Sequence, residues 1–280
     1  MQIIALADIH ANLAALETVI DAISQLRPDR VLVAGDIVNR GPQPEACVDL
    51  ILANSNRQHW HVLKGNHEDF VLNERRTPAE RPEWLSQVFQ HSTWTCGKIR
   101  PYWSDVEALP DQIDLQGPKG ETIRCVHASM RSNRDGLYPR MENEHMEMMT
   151  ESPADLIIVG HTHLPFTRRL KDRLVVNVGA VGLPFDRDPR ASFVILNWNG
   201  NGWQTEHVRM NYDRRSTEHA FISSGYLRDG GPMVRLILEE LKYARPYLQN
   251  WHRGYEKAVA RGEISVQDSV HACLMAGTST

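Results

Sequence analysis

The chain has 280 residues, 41% hydrophobic and 24% charged, with a formal net charge of −4 and a pI of about 6.4. This is the composition of an ordinary soluble globule, long enough to bury a substantial core without disulfide staples. The acidic balance argues against non-specific binding to nucleic acid or to a membrane surface.

The opening "MQIIALADIH" has no basic leader and reaches Asp8 early, so residues 2–7 are predicted as a buried first strand and not a signal peptide. "NLAALETVIDAISQL" places Leu13, Leu16, Val19, Ile20, Ile23 and Leu26 at three- and four-residue steps, an amphipathic helix stopped before Pro28. "VLVAG" is a second buried strand, "PEACVDLILAN" a helix with Pro44 near its start, and "HWHVLKG" (59–65) a third strand. This alternation implies a parallel sheet. Residues 70–110 then turn helical and aromatic-rich, with Phe70, Trp84, Phe89, Trp94, Tyr102 and Trp103. They read either as a helical subcore or as a cap whose rings stack on a base.

"QIDLQGPKGETIRCVHA" is predicted as a hairpin, "ADLIIVGHTH" as a strand, and "FTRRLKDRLVVNVGAV" and "ASFVILNWNGNGWQTEHVRMNY" as two further hairpins. From about residue 213 the pattern is helical, and the tail "MAGTST" is expected to fray. The expected fold is α/β: two mixed sheets packed face to face and flanked by helices, with a helical insert at 70–110. Residues 1–212 would form the catalytic domain and 213–280 a helical C-terminal extension. Four cysteines, Cys47, Cys96, Cys125 and Cys273, form no C-x-x-C pair. With no apolar run long enough to span a bilayer, a reduced cytoplasmic chain is expected.

Polar groups gather where strands end. The first strand runs into Asp8-Ile9-His10, the second into Gly35-Asp36, the third into Gly65-Asn66-His67-Glu68. "TIRCV" ends at His127, and "ADLIIV" at Gly160-His161-Thr162-His163. Ligands bind outside the carboxyl ends of strands in α/β sheets, so these groups can converge. Asp8 and His10, like His161 and His163, are two apart, and in extended backbone would point the same way. "KGNHEDF" also reads as a helix start, with Asn66 as N-cap and Asp69 at the third helical position.

Asp8, His10, Asp36, Asn66, His127, His161 and His163 offer carboxylate, imidazole and amide oxygen without thiolate. That set suits Mn, Fe, Co, Ni or Zn. Seven groups are too many for one ion and about right for two that share a carboxylate, the arrangement that clamps an in-line displacement.

These five motifs, in this order, resemble the calcineurin-like metallophosphoesterase family, nearest to its small bacterial phosphoesterase and diadenosine tetraphosphatase-like branch. The resemblance runs over residues 8–163, and the family's fold would cover about 1–210. It implies one divalent ion held by Asp8, His10, Asp36 and His163, and a second by Asp36, Asn66, His127 and His161. Asp36 and a water or hydroxide would bridge them, and that hydroxide would attack phosphorus. His67 would act as general acid or transition-state hydrogen-bond donor. "VVNVGAVGLPFD" resembles the family's segment beside the site, making Asn177 and Gly179 its supporting contacts. Arg40 resembles the arginine that grips phosphate. Residue 39 is an aspartate in the protein serine/threonine phosphatase branch. Here it is Asn39, which can orient His67 but cannot stabilise its cation by charge.

The loop "HASMRSNRDGLYPR" adds Arg131 and Arg134 as candidate substrate contacts, with Tyr138 and Arg140 nearby. The expected activity is hydrolysis of phosphoester or phosphoanhydride bonds in a small phosphorylated molecule, with a nucleotide among the options. A diadenosine polyphosphate hydrolase, a nuclease of the same fold and a non-catalytic binding protein are the alternatives. The C-terminal helices leave open a cover for the site, a sheet edge or an oligomer interface.

Overall fold

The computed structural model describes residues 1–58, 60–76 and 81–277. The third strand expected from His59 is described from Trp60, and His59 lies outside the described residues. Residues 278–280 of the expected frayed tail also lie outside them, whereas 275–277 complete the last helix.

The chain begins β1 (Gln2–Leu6), α1 (Leu13–Leu26), β2 (Arg30–Ala34), α2 (Pro44–Gln58), β3 (Trp60–Leu63). Three helices follow: α3 (Asn66–Asn73), α4 (Glu83–Lys98) and α5 (Trp103–Glu107). Then come β4 (Gln112–Gln116), β5 (Thr122–Val126), α6 (Asn143–Met149), β6 (Leu156–Val159), β7 (Phe166–Arg169) and β8 (Leu174–Asn177). The hairpin β9 (Ala191–Trp198) and β10 (Trp203–Met210) precedes α7 (Arg214–Ser223), α8 (Tyr226–Asp229), α9 (Val234–Tyr243), α10 (Tyr247–Gly254), α11 (Glu256–Ala260) and α12 (Val266–Gly277).

Two five-stranded sheets result, ordered β10-β9-β1-β2-β3 and β4-β5-β6-β8-β7. Both are mixed: β1, β2 and β3 run parallel, as do β5, β6 and β8, while the hairpin partners are antiparallel. Strand alternation divides the core. Ile3, Ala5, Leu32, Ala34 and Leu63 meet Ile123, Cys125, Leu156, Ile158 and Val176 between the sheets. Their neighbours Ile4, Leu6, Val31, Val33 and Val62 face the opposite way, onto α1 and α2. On the far side of the second sheet, Ile157, Val159 and Val175 pack under Met146 and Met149 of α6.

A separate apolar cluster joins α4 to the C-terminal helices. It holds Val88, Tyr226, Ile237, Leu248 and Trp251, with Trp84, Phe89 and Trp94 against it. Three of the six insert aromatics are thus partly buried against this helical layer, and Tyr102 and Trp103 pack on the helix-covered side of the first sheet. Among the described residues no helix is long and apolar enough to cross a membrane.

Candidate metal centre and active site

All five motifs sit at the carboxyl ends of their strands. The loops after β1 and β2 are joined by backbone bonds: Asp8 N–H to Gly35 O (3.1 Å), His10 N–H to Asp36 O (3.0 Å) and Ala11 N–H to Ile37 O (2.9 Å). These loops do not use extended alternation, as the i, i+2 spacing suggested. Asp8 (φ 55°), His10 (φ 46°), His161 (φ 67°) and His163 (φ 59°) are all left-handed. So are Asp36, Asn39 and Arg40, making seven of the eleven non-glycine residues with positive φ among the described residues. Each costs on the order of 1 kcal/mol, and such strain persists only where surroundings over-determine it.

Glu68 is the main determinant. The helix start also differs from the expected one: Gly65, not Asn66, is the N-cap of α3, so Glu68 and not Asp69 takes the third helical position. The Glu68 carboxylate is fully buried and accepts N–H bonds from Gly65 (2.6 Å), Asp36 (2.9 Å), Ile37 (2.8 Å) and Val38 (3.1 Å). It thereby caps its own helix and clamps the loop after β2. Gly65 is required at this crossing, because a Cβ there would lie 2.1 Å from Asp36 Oδ1.

The two aspartates are built alike. Asp36 Oδ1 accepts from His67 N–H (2.8 Å), and Asp8 Oδ2 from His161 N–H (2.9 Å). Their other oxygens, Asp36 Oδ2 and Asp8 Oδ1, are buried without a hydrogen-bond partner. Asp36 Oδ2 lies 3.2 Å from His127 Nε2 and 3.7 Å from His10 Nε2, and Asp8 Oδ1 lies 3.4 Å from His163 Nε2.

Three imidazoles are oriented through backbone carbonyls. His127 Nδ1 donates to Ala34 O (2.7 Å), His161 Nε2 to Arg134 O (3.1 Å), and His163 Nδ1 to Leu183 O. The remaining ring nitrogens turn toward other acceptors. His127 Nε2 and His161 Nδ1 lie 2.9 and 2.8 Å from Asn66 Oδ1 and 3.2 Å from each other. His163 Nε2 lies 3.2 Å from His10 Nε2. Acceptors pointed at acceptors in a dry interior need a cation or a proton between them. Two groups have metal-ligand spacing: Asp8, His10, Asp36 and His163, and Asp36, His127 and His161, each with ligand atoms within 4.8 Å of one another. Asp36 belongs to both, and Asn66 Oδ1 adjoins the second.

The electrostatics follow from this crowding. Burial and the neighbouring His163 push His10 down to about 3, and burial with His127 pushes His161 down to about 4. Burial would raise Asp36, but the His127 and His67 imidazoles beside it hold it well below the usual carboxylate range. Burial lowers His127, but the Asp36 carboxylate outweighs it and the imidazole rises to about 10.

His67 stands beside the cluster, its ring 4.9 Å from His10 and edge-on to it. Asn39 sets its tautomer. Asn39 Oδ1 accepts from Arg40 N–H (3.0 Å) and faces His91 Nδ1 (3.0 Å), so its Nδ2 is the donor to His67 Nδ1 (2.9 Å) and to Ser92 Oγ (2.9 Å). The neutral ring therefore carries its proton on Nε2. Burial lowers the His67 pKa well below the usual histidine value, against the pull of Asp36. Asn177 donates to Gly160 O (2.7 Å) and Thr162 Oγ1 (2.9 Å) and accepts from Gly179 N–H (2.9 Å), which pins the His161–His163 loop.

A cavity of about 490 Å³ opens over this cluster, with Asp36, Asn66, His67, His161 and His163 along one side. Arg40 and Arg134 line it, and the Arg134 guanidinium lies 4.6 Å above the Phe70 ring. Arg131 does not reach it: its exposed side chain pairs with Asp135 (3.7 Å) and borders a different cleft. Of the insert aromatics, Phe70 lines this cavity and Phe89 a smaller adjoining one. Sequence reasoning missed Glu68 as an organiser, and Phe185, which stacks on His163 at 4.2 Å. Of the roles left open for the C-terminal helices, lining the site is the one α9 and α10 take, though no motif marked which of their residues do so.

The fold and the cluster define an α/β protein with a candidate metal centre at the strand ends of one sheet pair. The family model described as calcineurin-like phosphoesterase matches residues 1–165, and the chain belongs to that family. An uncharacterized protein of Methanocaldococcus jannaschii is 26% identical over 242 residues, 78% of this chain and 91% of that one. Escherichia coli phosphodiesterase YfcE is 23% identical over 201 residues, 70% of this chain and 88% of its own. The crystal structure of a metallophosphoesterase from Sphaerobacter thermophilus superposes with a TM-score of 0.68 at 25% identity, covering 87% of this chain and 98% of that one.

Proposed function

We propose that the chain is a dinuclear-metal phosphoesterase acting on small phosphorylated molecules. The observation that carries this reading is the pair of ligand groups sharing Asp36, with bare carboxylate oxygens and oriented ring nitrogens aimed at each other. Asp8, His10, Asp36 and His163 would hold one divalent ion, and Asp36, Asn66, His127 and His161 the other. The donor set fits Mn, Fe, Co, Ni or Zn. When bound, such ions make water a nucleophile near neutral pH and neutralise charge on the phosphoryl oxygens.

The chain's own groups do the rest. Arg40 offers its guanidinium to phosphate oxygens from the cavity wall. His67 presents an Nε2–H donor to the departing oxygen, held in place by Asn39. A neutral donor suits leaving groups that need little protonation, such as phenolates and phosphates. The side chains of the β-strand loops hold the reacting phosphorus against these donors, so catalysis rests on positioning and electrostatics. In this reading residues 1–212 form the catalytic unit and 213–280 an extension reaching over it. Four buried free cysteines agree with a reducing, cytoplasmic setting.

The test is hydrolysis with Mn²⁺ of p-nitrophenyl phosphate, bis-p-nitrophenyl phosphate and diadenosine tetraphosphate, with Asp36→Asn as the blank. The diester is expected to turn over, since a relative is named a phosphodiesterase. An Asp36→Asn protein as active as the wild type would remove the shared-carboxylate assignment.

A further inference from the structure

The side of the cavity facing the ligand cluster is built by the C-terminal helices. Glu240 of α9, Pro246, and Gln249, His252 and Arg253 of α10 all line it. Apolar surface completes it: Phe70, Tyr138 and Phe185.

The charge on this lining is unbalanced. Arg40, Arg134 and Arg253 line the cavity, and among the described residues none makes an ion pair. Some arginines elsewhere are neutralised at close range, as in Arg81–Glu74 (2.9 Å), Arg124–Asp114 (2.7 Å) and Arg190–Asp188 (2.6 Å), and others, such as Arg168 and Arg173, donate to backbone carbonyls. Apart from Asp36, the one lining carboxylate is Glu240, which is fully buried. One of its oxygens already accepts the Leu248 N–H (2.8 Å). Three arginines therefore line a common space, Arg40 half-buried and Arg134 and Arg253 exposed, with few carboxylates beside them.

A phosphate at the ligand cluster leaves Arg40 within its reach but does not account for Arg134 and Arg253. Guanidinium forks unpaired around a concave site suit further phosphate oxygens. The aromatic wall suits a flat ring, and Arg134 lying over Phe70 ties the two features together. The volume of about 490 Å³ falls within the range for a small ligand.

We propose that α9 and α10 form the substrate-reading wall, and that the site takes compounds with a planar ring and at least one phosphate beyond the one cleaved, gripped by Arg134 and Arg253. This rests on the reading above, in which the scissile phosphate sits at the ligand cluster.

Calorimetric titration of the full chain with Mn²⁺ present tests it by affinity. The probes are α,β-methylene-ADP, AMP supplied as its non-hydrolysable 5′-methylenephosphonate, and methylenediphosphonate. The ADP analogue is expected to bind about tenfold tighter than AMP in that form, and Arg134→Ala and Arg253→Ala are each expected to erase most of that advantage. Arg228→Ala, whose side chain is exposed and paired with Asp229 at 2.7 Å, is expected to leave it intact. Methylenediphosphonate, having no ring, is expected to bind about tenfold more weakly than the analogue. Equal affinity for the analogue and AMP, or an advantage that survives Arg253→Ala, overturns the second-phosphate grip. Equal affinity for methylenediphosphonate overturns the ring. Wild-type turnover of bis-p-nitrophenyl phosphate is measured in parallel. Turnover without a preference for the analogue sinks this inference alone, and an Arg253-dependent preference without turnover sinks only the phosphoesterase reading.

Discussion

Asn39 Nδ2 donates to His67 Nδ1 at 2.9 Å, and the Arg40 N–H on Asn39 Oδ1 prevents the amide from turning over. Burial keeps the imidazole neutral, the Asn39 bond places its proton on Nε2, and His67 lines the cavity. Asn39→Ala removes this orientation and is expected to lower kcat about 10- to 100-fold, with KM changing less. Steady-state kinetics on bis-p-nitrophenyl phosphate decide it. A variant with wild-type kcat would show that the hydrogen bond is only structural.

Asn39→Asp moves the same site in the opposite electrostatic sense. A carboxylate beside Nδ1 favours the imidazolium and raises the His67 pKa, which burial otherwise holds well below the usual value. The wild type is expected to show no His67 limb between about pH 6 and 9, the range in which an unshifted or raised histidine titrates. The variant is expected to gain a donor at lower pH and lose it as pH rises through the new pKa. Identical pH profiles for the two proteins would contradict the assigned tautomer.

Glu68→Gln tests the clamp. Four backbone N–H groups converge on one buried carboxylate, and an amide would turn N–H groups toward some of them. The expected loss is at least about 3 kcal/mol of unfolding free energy. Metal uptake should weaken as well, since the Asp36 loop is no longer held. Urea melts and metal analysis on the same preparation check both, and a change under about 1 kcal/mol would demote Glu68 to an ordinary cap.

Metal binding should release protons. Without an ion, the His127 pKa is raised to about 10, so a proton fills the gap between its Nε2 and the facing acceptors. At pH 8 an entering divalent ion must displace it. Titration of chelator-stripped protein with Zn²⁺ in weak buffer is expected to release close to one proton at this site, and His127→Ala to abolish that release. Saturation at about a hundredfold Kd should stabilise the fold by about 2.7 kcal/mol.

Glu240 contributes a pH dependence of stability. Burial raises its pKa from 4.5 to about 7. The folded state therefore binds the proton more tightly than the unfolded one. That contribution is fully present below about pH 4.5 and is lost as pH rises through 7, a swing of about 3 kcal/mol. Glu240→Gln retains an acceptor for the Leu248 N–H and is expected to become more stable relative to wild type as pH rises from 5 to 8. Parallel pH dependences would show that Glu240 does not titrate in this window.

Strands, hairpins and the five polar strand ends were legible in the sequence because their signals are local. Alternating apolar runs, "NGNG" and an aspartate or histidine after a strand need no knowledge of distant partners. Their order along the chain was enough to resemble a family. The conformation of the motifs was not legible: Asp8 and His10 share a site through left-handed turns cross-bonded to the β2 loop. Nor was the role of Glu68, whose partners Asp36, Ile37 and Val38 lie 30 to 32 residues upstream.

The substrate side was least legible. Arg131 and Arg134 are three residues apart, yet one pairs with Asp135 on the surface and the other reaches Phe70 in the cavity. Glu240 and Arg253 carry no motif and line the cavity because α9 and α10 share an apolar cluster with α4 that includes Val88, Ile237 and Trp251. Which strand ends are polar is written residue by residue, so the sheet pair and the polar cluster at its strand ends could be read from local patterns. Which side chains face that cluster depends on how separate helices pack, a sum of many non-local contacts that no local pattern records.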